Sequence, residues 1–432
     1  MTQFSSFGEK FIQPSGITQL MADLGKANAS ADPEICMLGG GNPASIPAVE
    51  TIFQNEMQAL LQQPSDFNNM LGNYDGPNGS ELFIENLTRL LNKRYKWDLS
   101  EKNICLTNGS QSSFFNLFNL FAGDMPNGKK KTILFPLAPE YIGYFDQGLS
   151  KDMFKANKPI ICELSDFEFK YYIDFDQLKI DDSIAAICVS RPTNPTGNVL
   201  TDTEMQKLDE LTQEHQIPLI VDNAYGFPFP GAIYTDVNPH WHENIILTMS
   251  LSKLGLPGTR TGIIIAREDI INAMSSINAI MSLAPTSIGA NLVNRLMKTG
   301  EIIHLREDII RPFYQDKSIF ACQLAHSLFS DMPVKIHKSE GAFFLWLWCP
   351  GLPISTTVLY HRLVERKVFV IPSEHFFPNA GQNWQHSKEC LRITFTQPEE
   401  TLKRGFKIIA EELRKSVFAS RLVNIKQPTK RY

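Results

Sequence analysis

Residues 245–266 read IILTMSLSKLGLPGTRTGIIIA. The stretch begins and ends with short apolar runs, Ile245 to Met249 and Gly262 to Ala266, which are typical of strands buried on both faces of a sheet. A polar loop between these runs contains Lys253 and Arg260. Because charged side chains are rare at the end of a buried strand, this loop is a candidate functional site at one edge of an α/β sheet.

The rest of the chain shows the same alternation of short apolar runs and helix-length segments. This alternation predicts an α/β fold built around a largely parallel sheet. An amphipathic helix is expected over Asp202 to His215, with Thr201 as its N-cap. The other strands expected in this sheet are Ile104 to Thr107, Thr132 to Phe135, Ala185 to Ser190 and Pro218 to Asp222.

Length and composition favour a globular protein with two domains. The chain has 432 residues, of which 43% are hydrophobic and 20% are charged, and one domain usually has ~100–200 residues. Segments rich in Pro and Gly lie at 38–47 and 350–353. We predict an N-terminal segment, 1–50, that contributes to a small domain, a large domain over 51–328, and a small α+β domain over 329–432. The elements expected in this last part are strands at Ala342 to Trp348, Val368 to Ile371 and Leu391 to Phe395, and a closing helix at Glu399 to Leu422.

Charge and cysteine content argue against several classes of function. With 41 Lys+Arg against 46 Asp+Glu, the net charge is −5, whereas nucleic-acid binders usually carry a basic excess. Seven cysteines without a CxxC pair do not form a disulfide or zinc framework, and His240 and His242 lack a metal-binding spacing. No apolar run reaches the ~18–20 residues that cross a bilayer, and the start MTQFSSFGEKF lacks the regions of a secretory signal. We therefore expect a cytoplasmic protein without a metal, a nucleic-acid partner or a membrane partner.

Polar residues follow three of the predicted strands. The turn Asn108 to Gln111 leads into an apolar helix at Phe114 to Phe121, so it is either a simple N-cap or a phosphate cradle. Asn194 belongs to an NPTG turn, which taken alone needs no other role than a rigid connection. Asp222 ends a strand three residues before Tyr225, and it either caps a helix or pairs with a cation, because an unpaired buried carboxylate is costly.

The loop around Lys253 indicates a particular chemistry. A desolvated lysine has a lowered pKa and can attack a carbonyl carbon to form a Schiff base. Ser250, Ser252 and Arg260 are suited to a phosphate dianion, and Asp222 is suited to a protonated ring nitrogen. An aldehyde, a phosphate ester and a protonated pyridine occur together in pyridoxal 5′-phosphate, which is therefore the predicted cofactor.

The NPTG turn at 194–197, the DNAYG segment at 222–226 and the SLSKLGLPGTR run at 250–260 resemble, in this order along the chain, the class I/II aminotransferases of fold type I. The resemblance covers essentially the whole chain. It implies a homodimer that moves an amino group from an amino acid to a 2-oxo acid in two ping-pong half-reactions. MLGGGNP, NYDGP, LTNGSQSSFF, FPLAPEYIGY and GAFFLWLW further resemble a branch of the family in which valine gives 3-methyl-2-oxobutanoate and pyruvate gives alanine.

The resemblance also implies roles for single residues. Lys253 would bind the cofactor covalently and move the substrate proton, Asp222 would pair with the ring nitrogen, and Tyr225 and Asn194 would donate to the phenolic oxygen. Tyr141 would stack on the ring. The other cofactor contacts implied are Gly109, Ser110, Gln111, Ser250, Ser252 and Arg260, with Tyr74 reaching across from a second subunit. The N-terminal segment, over Phe7 to Leu24, would pack over the active site or the second subunit.

Arg392 matches the arginine that binds the substrate carboxylate, helped by Asn194 and the backbone near Gly41. Its alternative is an ordinary surface arginine, which an apolar strand context disfavours. Asn223 stands where the family often has an acidic residue, and this affects the branch rather than the chemistry. The alternatives for function are an aminotransferase for other small aliphatic amino acids, a C–S β-lyase of the same fold, and a regulatory module, which the absence of a basic helix-turn-helix segment disfavours.

Overall fold

The computed structural model describes residues 3–12, 25, 32–377 and 384–425, with side chains in the last helix described to residue 416. The strands are β1 (Cys36–Met37), β2 (Ile104–Thr107), β3 (Gly123–Asp124), β4 (Lys130–Phe135), β5 (Phe154–Ala156), β6 (Ile160–Glu163), β7 (Glu168–Tyr172), β8 (Ile184–Ser190), β9 (Leu219–Asp222), β10 (Ile245–Ser250), β11 (Gly262–Ile265), β12 (Lys335–His337), β13 (Phe344–Trp348), β14 (Val368–Phe369), β15 (Ile371–Pro372) and β16 (Cys390–Thr394).

Helices surround these strands and connect them. They are α1 (Ser6–Ile12), α2 (Pro47–Leu61), α3 (Pro64–Gly72), α4 (Glu81–Tyr95), α5 (Ser110–Phe121), α6 (Asp202–Glu214), α7 (Glu268–Ser282), α8 (Ile288–Thr299), α9 (Glu301–His304), α10 (Arg311–Phe329), α11 (Thr356–Glu365) and α12 (Glu399–Ile425). A π-helical turn, Leu305–Ile310, joins α9 to α10. The predicted Thr201 cap is confirmed, because its hydroxyl accepts from the Glu204 N–H over 3.1 Å at the start of α6.

The central sheet has the strand order β2-β11-β10-β9-β8-β4-β3, with β5 also paired to β4. Strands β10, β9, β8, β4 and β5 are parallel, whereas β11 is antiparallel to both of its neighbours. Strand β8 is buried along its whole length, as the uniformly apolar sequence indicates for a sheet covered on both faces. The predicted α/β fold with a mostly parallel central sheet is confirmed.

The register of this sheet brings the polar strand ends together. Ser190 at the end of β8 is paired with Asp222 at the end of β9, and Asp222 is paired with Thr248 of β10. Strand β10 ends at Ser250, three residues before Lys253. Because parallel strands end at the same edge of a sheet, residues that are distant in sequence meet in one crevice.

A second sheet has the order β15-β16-β13-β12-β7-β6. Its strands β6 and β7 come from 160–172, within the range predicted for the large domain, so this sheet is not built from the chain ends alone. Strand β1 pairs in parallel with β14, which joins residues near the N-terminus to the C-terminal part. The limits 1–50, 51–328 and 329–432 remain a prediction.

Two predicted strands in this part differ in detail. The run from Val368 to Ile371 forms two strands, because Val368–Phe369 pairs with β1 and Ile371–Pro372 pairs with β16. Strand β13 begins at Phe344 rather than at Ala342, whose φ of 58° is left-handed. The aromatic residues Phe343, Phe344 and Trp346 are buried, and Trp348 is partly exposed.

Among the described residues, no helix combines the length and the apolar character that a membrane crossing requires. The cysteines in this part of the chain are free, and all of them are buried except the partly exposed Cys162 and Cys322. The predicted N-terminal segment from Phe7 to Leu24 is described only as far as Ile12, within α1. Residues 13–24 lie outside the described residues.

Candidate active site

A cavity of about 540 Å³ opens at the carboxyl edge of the central sheet. It brings together eleven of the predicted site residues, which come from six different loops and strand ends. They are Gly41, Ser110, Gln111, Tyr141, Asn194, Asp222, Tyr225, Ser250, Ser252, Lys253 and Arg260. Three predicted residues, Gly109, Arg392 and Tyr74, lie outside the cavity wall.

Lys253 lies on a short 3₁₀ turn, Ser252–Leu254, that follows β10. Its Nζ donates to the carbonyl of Gly41 over 2.6 Å and lies 5.4 Å from the centre of the Tyr225 ring. Burial, together with the positive charges of Arg392 and Arg260, lowers the pKa of Lys253 to about 8 against a partial opposing effect of Asp222. The amine is therefore partly neutral near physiological pH, as a nucleophile or proton acceptor requires.

Asp222 ends β9 with its carboxyl group facing the cavity. Its Oδ1 accepts from the Ala224 N–H over 2.9 Å, and its Oδ2 accepts from the hydroxyl of Tyr144. Burial raises the pKa of this carboxyl group, and the two hydrogen bonds oppose the shift. Among the described residues Asp222 forms no salt bridge, so it can still be paired with a cationic group in the cavity.

Arg392 lies in β16 and is buried, which excludes the surface-arginine alternative. Its Nη1 donates to Asn194 Oδ1 and its Nη2 donates to the Gly39 carbonyl, both over 2.7 Å. Its Nε has no hydrogen-bond partner in the described part of the chain. The guanidinium carbon lies 4.3 Å from the centre of the Phe344 ring. The planar guanidinium is therefore held in place while its Nε–H is still without a partner in that part of the chain.

The cavity wall next to Lys253 includes Tyr225, whose hydroxyl is buried and has no hydrogen-bond partner among the described residues. Burial raises the pKa of this phenol, so it is a neutral donor at physiological pH. The preceding Asn223 is also buried, and its side-chain amide donates to the Phe227 carbonyl, which fixes the turn after β9. The hydroxyl of Tyr225 is thus held in place and remains available to a ligand.

Serine hydroxyls and an arginine surround the start of α5. Ser110 begins this helix, and Ser250, Ser252 and Arg260 line the same end of the cavity. Gly109 precedes the helix at φ 92°, and a Cβ atom there would lie 2.3 Å from Arg260 Nη2. Gly109 therefore allows both the turn and the close approach of Arg260, although it does not itself line the cavity. A helix N-terminus with these donors is suited to a phosphate group.

Tyr74 lies away from the cavity within its own chain. Its side chain is 81% exposed. A contribution of Tyr74 to this cavity therefore requires a second copy of the chain, as the family resemblance implies.

Three functional positions escaped the sequence interpretation. Tyr144 donates to Asp222, Ser190 lines the cavity with its Oγ 3.2 Å from the Tyr144 hydroxyl, and the Gly39 carbonyl accepts from Arg392. Ser190 is the last residue of a buried strand, so the rule that polar strand ends form sites could have identified it. Tyr144 belongs to the FPLAPEYIGY motif but had no signal of its own.

Comparisons with known proteins agree with this geometry. The model of the family described as aminotransferase class I and II matches residues 39–409. The chain therefore belongs to the class I and II aminotransferases, whose members depend on pyridoxal 5′-phosphate.

Individual relatives cover nearly the whole chain. The chain is 47% identical over 413 residues to the valine–pyruvate aminotransferase of Escherichia coli K12, covering 96% of this chain and 98% of the relative. The crystal structure of a putative amino-acid aminotransferase from Psychrobacter arcticum 273-4 is 46% identical with a TM-score of 0.94, covering 97% of this chain and all of that one. The crystal structure of valine-pyruvate aminotransferase from Salmonella typhimurium LT2 is 45% identical with a TM-score of 0.86, covering 93% and 100%.

The residues around the cavity fit pyridoxal 5′-phosphate group by group. Lys253 offers a partly neutral amine to an aldehyde, Asp222 offers a carboxylate to a protonated ring nitrogen, and Tyr225 has an unused hydroxyl for the phenolic oxygen. The serine and arginine donors at the start of α5 are suited to the phosphate. The cavity therefore matches the cofactor that the family uses.

Proposed function

We propose that this protein transfers the amino group of valine to pyruvate, giving 3-methyl-2-oxobutanoate and alanine. The observation that carries the proposal is the pairing of a partly neutral Lys253 with a buried Arg392 that has no ion-pair partner within the described residues. A buried guanidinium bound only to neutral oxygens favours an anion, and both substrates carry an α-carboxylate. The names of the two valine–pyruvate aminotransferases, at 47% and 45% identity, support valine and pyruvate as the pair.

The roles of single residues follow from their surroundings. Arg392 binds the substrate carboxylate, and its contacts to Asn194 and Gly39 fix the plane of the guanidinium. This fixed plane orients the α-carbon toward Lys253, which takes the α-proton when its amine is neutral and returns a proton in the second half-reaction. When bound, pyridoxal 5′-phosphate supplies a protonated ring that accepts the electrons released at the substrate α-carbon.

Other residues hold charge in place during these steps. Asp222 keeps a proton on the ring nitrogen, because a carboxylate beside a buried cation favours the protonated form of that cation. Tyr225 and Asn194 both line the cavity, and we place their contacts to the phenolic oxygen there. Ser110, Gln111, Ser250, Ser252 and Arg260 bind the phosphate, and Tyr141 covers the ring.

We also propose that the active protein is a cytoplasmic homodimer. Tyr74 lies next to other exposed apolar side chains, since the Ser287 hydroxyl donates to the Met70 carbonyl and Asn278 donates to the Pro77 carbonyl. These contacts bring the 70–77 loop against the end of α7. The exposed side chains there are Leu71, Tyr74, Ile280, Met281 and Leu283. An exposed apolar surface of this kind supports a second copy that supplies Tyr74.

The experiment that tests the proposal measures alanine formed from valine and pyruvate by the purified, cofactor-loaded protein. We expect alanine and 3-methyl-2-oxobutanoate in equal amounts, and Lys253→Ala should form neither product. Parallel reactions with leucine or 2-aminobutyrate as donor rank the other small aliphatic amino acids. Pyruvate released from cystathionine, without alanine formed from valine, would instead identify a β-lyase.

A further inference from the structure

A chain of hydrogen bonds extends from Asp222 to a second buried carboxyl group. Glu140 is 2% exposed, and it accepts from the Ser190 N–H over 3.0 Å and from the Ser190 hydroxyl over 2.6 Å. The Ser190 hydroxyl lies 3.2 Å from that of Tyr144, which donates to Asp222. Three successive contacts therefore connect Glu140 to the carboxylate that faces the cavity.

Glu140 has no salt bridge among the described residues, and its other contact is the Tyr141 N–H at 3.3 Å. An ionised carboxyl group buried without a cation is costly, and a second negative charge near Asp222 adds to the cost. Burial, with a smaller contribution from Asp222, raises the pKa of Glu140 to about 8. The geometry and the charge balance therefore both favour a neutral Glu140 at physiological pH.

We propose that Glu140 is a positioning residue whose carboxyl group stays protonated and acts through Ser190 and Tyr144 to keep the negative charge on Asp222. This inference rests on the proposed function, because it assigns the charge of Asp222 to the ring nitrogen of the cofactor. Protonated Glu140 donates from Oε2 to Ser190 Oγ, which reverses the direction of this contact in the ionised form, so the Ser190 hydroxyl is free to donate to the Tyr144 oxygen. Tyr144 in turn donates to Asp222, and a hydrogen bond to the charged form favours that form.

The described groups around Glu140, Ser190 and Tyr144 do not offer another charge that would interact with Glu140 as Asp222 does. Cys188 and Tyr144 interact electrostatically with Glu140, and burial raises the pKa of each, so both are neutral. The Glu140 N–H donates to the Phe376 carbonyl. His375, in that segment, interacts instead with Glu374 and Asp146. Asp222 is thus the charged carboxylate that responds to Glu140.

The test uses infrared spectroscopy of the cofactor-loaded protein without substrate. The wild type should show the C=O stretch of a buried protonated carboxyl group at about pH 7, and this signal should disappear as the pH rises above about 8. Glu140→Gln should lack the signal. Glu204→Gln is the matched control, because buried Glu204 also accepts from a hydroxyl, that of Thr201, and from a backbone N–H, that of Ile173, but lies outside the cavity wall. It should keep the signal.

A second readout follows the visible absorption of the bound cofactor against pH. The wild type and Glu204→Gln should show a transition near pH ~8 that Glu140→Gln lacks, while kcat of Glu140→Gln at about pH 7 stays within about threefold of the wild type, since glutamine resembles the neutral acid. Ser190→Ala keeps Glu140 but breaks the chain of hydrogen bonds to Tyr144, so the infrared signal of the carboxyl group should persist at a shifted frequency. This variant replaces Glu140→Gln as the test if Glu140→Gln does not fold.

Two results would overturn the inference. One is a carboxyl signal that is the same in Glu140→Gln and in the wild type, and the other is an unshifted signal in Ser190→Ala. Because the infrared signal needs no substrate, it is independent of the valine assay. A protein that shows the signal but forms no alanine from valine would contradict the proposed substrates and leave the role of Glu140 intact.

Discussion

Arg392 and Asn194 are 198 positions apart in sequence and are joined by a 2.7 Å hydrogen bond between Arg392 Nη1 and Asn194 Oδ1. The bond links the second sheet, through β16, to the loop that follows β8 of the central sheet. It leaves the positive charge of Arg392 without a neutralising carboxylate among the described residues, so the pair keeps a net positive charge. The same contact prevents rotation of the guanidinium, because Asn194 and Gly39 bind two different nitrogens of it.

Arg392→Lys should lower kcat/KM for valine by about 10²–10³, because a single ammonium group cannot replace the planar, two-nitrogen contact. We expect most of the change in KM, with the cofactor spectrum unchanged. Steady-state kinetics with valine at fixed pyruvate measure the effect. Arg89→Lys, at an exposed i,i+4 ion pair with Glu85, is the control and should leave kcat/KM unchanged. An unchanged KM in Arg392→Lys would contradict the assignment.

Lys253→Met should stabilise the protein freed of its cofactor. The pKa of Lys253 is lowered from 10.5 to about 8, so the native state holds this proton less tightly than the unfolded chain. Below about pH 8 both states are protonated and the full cost of burying the charge is present, which we place at about 3 kcal/mol. As the pH rises from about 8 to 10.5 the native lysine loses its proton first, and the cost disappears.

Urea unfolding of the two apoproteins at about pH 7 and about pH 10 measures this difference. The advantage of Lys253→Met should be present at the lower pH and should shrink toward the higher one. Lys335→Met is the control, because Lys335 forms a salt bridge with Glu163 in the second sheet. This substitution should not stabilise the protein. A Lys253→Met protein that is less stable at about pH 7 would show that the amine is better accommodated than its burial indicates.

The sequence was most informative where chemistry requires a rare residue in an apolar context. Lys253, Asp222 and Arg392 each stand at or within a buried strand, and burying a charge is costly enough that each position indicates a ligand. The strands of the central sheet could be predicted equally well, because parallel strands that are covered on both faces are uniformly apolar. In the structure, β2 spans Ile104–Thr107, as its apolar sequence predicts.

Contacts between neutral groups could not be predicted from the sequence in the same way. Glu140 and Ser190 interact across 50 positions, and the sequence around Glu140 gives no sign of this contact. Strand β7 joins the second sheet by pairing with β12, and β6 pairs with β7, but nothing in the sequence of either strand specifies its partner. Long-range pairing of ordinary residues depends on how the whole chain packs, which local patterns do not encode.

Gly109→Ala should weaken cofactor binding, since the new Cβ would lie 2.3 Å from Arg260 Nη2 and displace the guanidinium. We expect the Kd for pyridoxal 5′-phosphate to rise about tenfold or more, as for the loss of one charge-assisted contact. Gly128→Ala is a matched control, because Gly128 also has a positive φ, 76°, but a Cβ atom there would meet no described atom within 4 Å. Fluorescence or absorbance titration of the apoproteins measures both constants. Equal Kd values in the two variants would mean that Arg260 does not contact the phosphate.

Ile280→Glu should separate the proposed dimer into monomers and reduce activity. Ile280 is 86% exposed and lies in α7 close to the loop that carries Tyr74, so a charge there would be buried against the second copy at high cost. Light scattering coupled to size-exclusion chromatography measures the mass, and a spectroscopic titration measures cofactor affinity. We expect the monomer to bind the cofactor more weakly, because it loses the contribution of Tyr74 from the second copy. Ile160→Glu, at a 49% exposed position on β6, should remain a dimer with normal affinity. A wild-type protein that is monomeric and fully active would refute both the homodimer and the role of Tyr74.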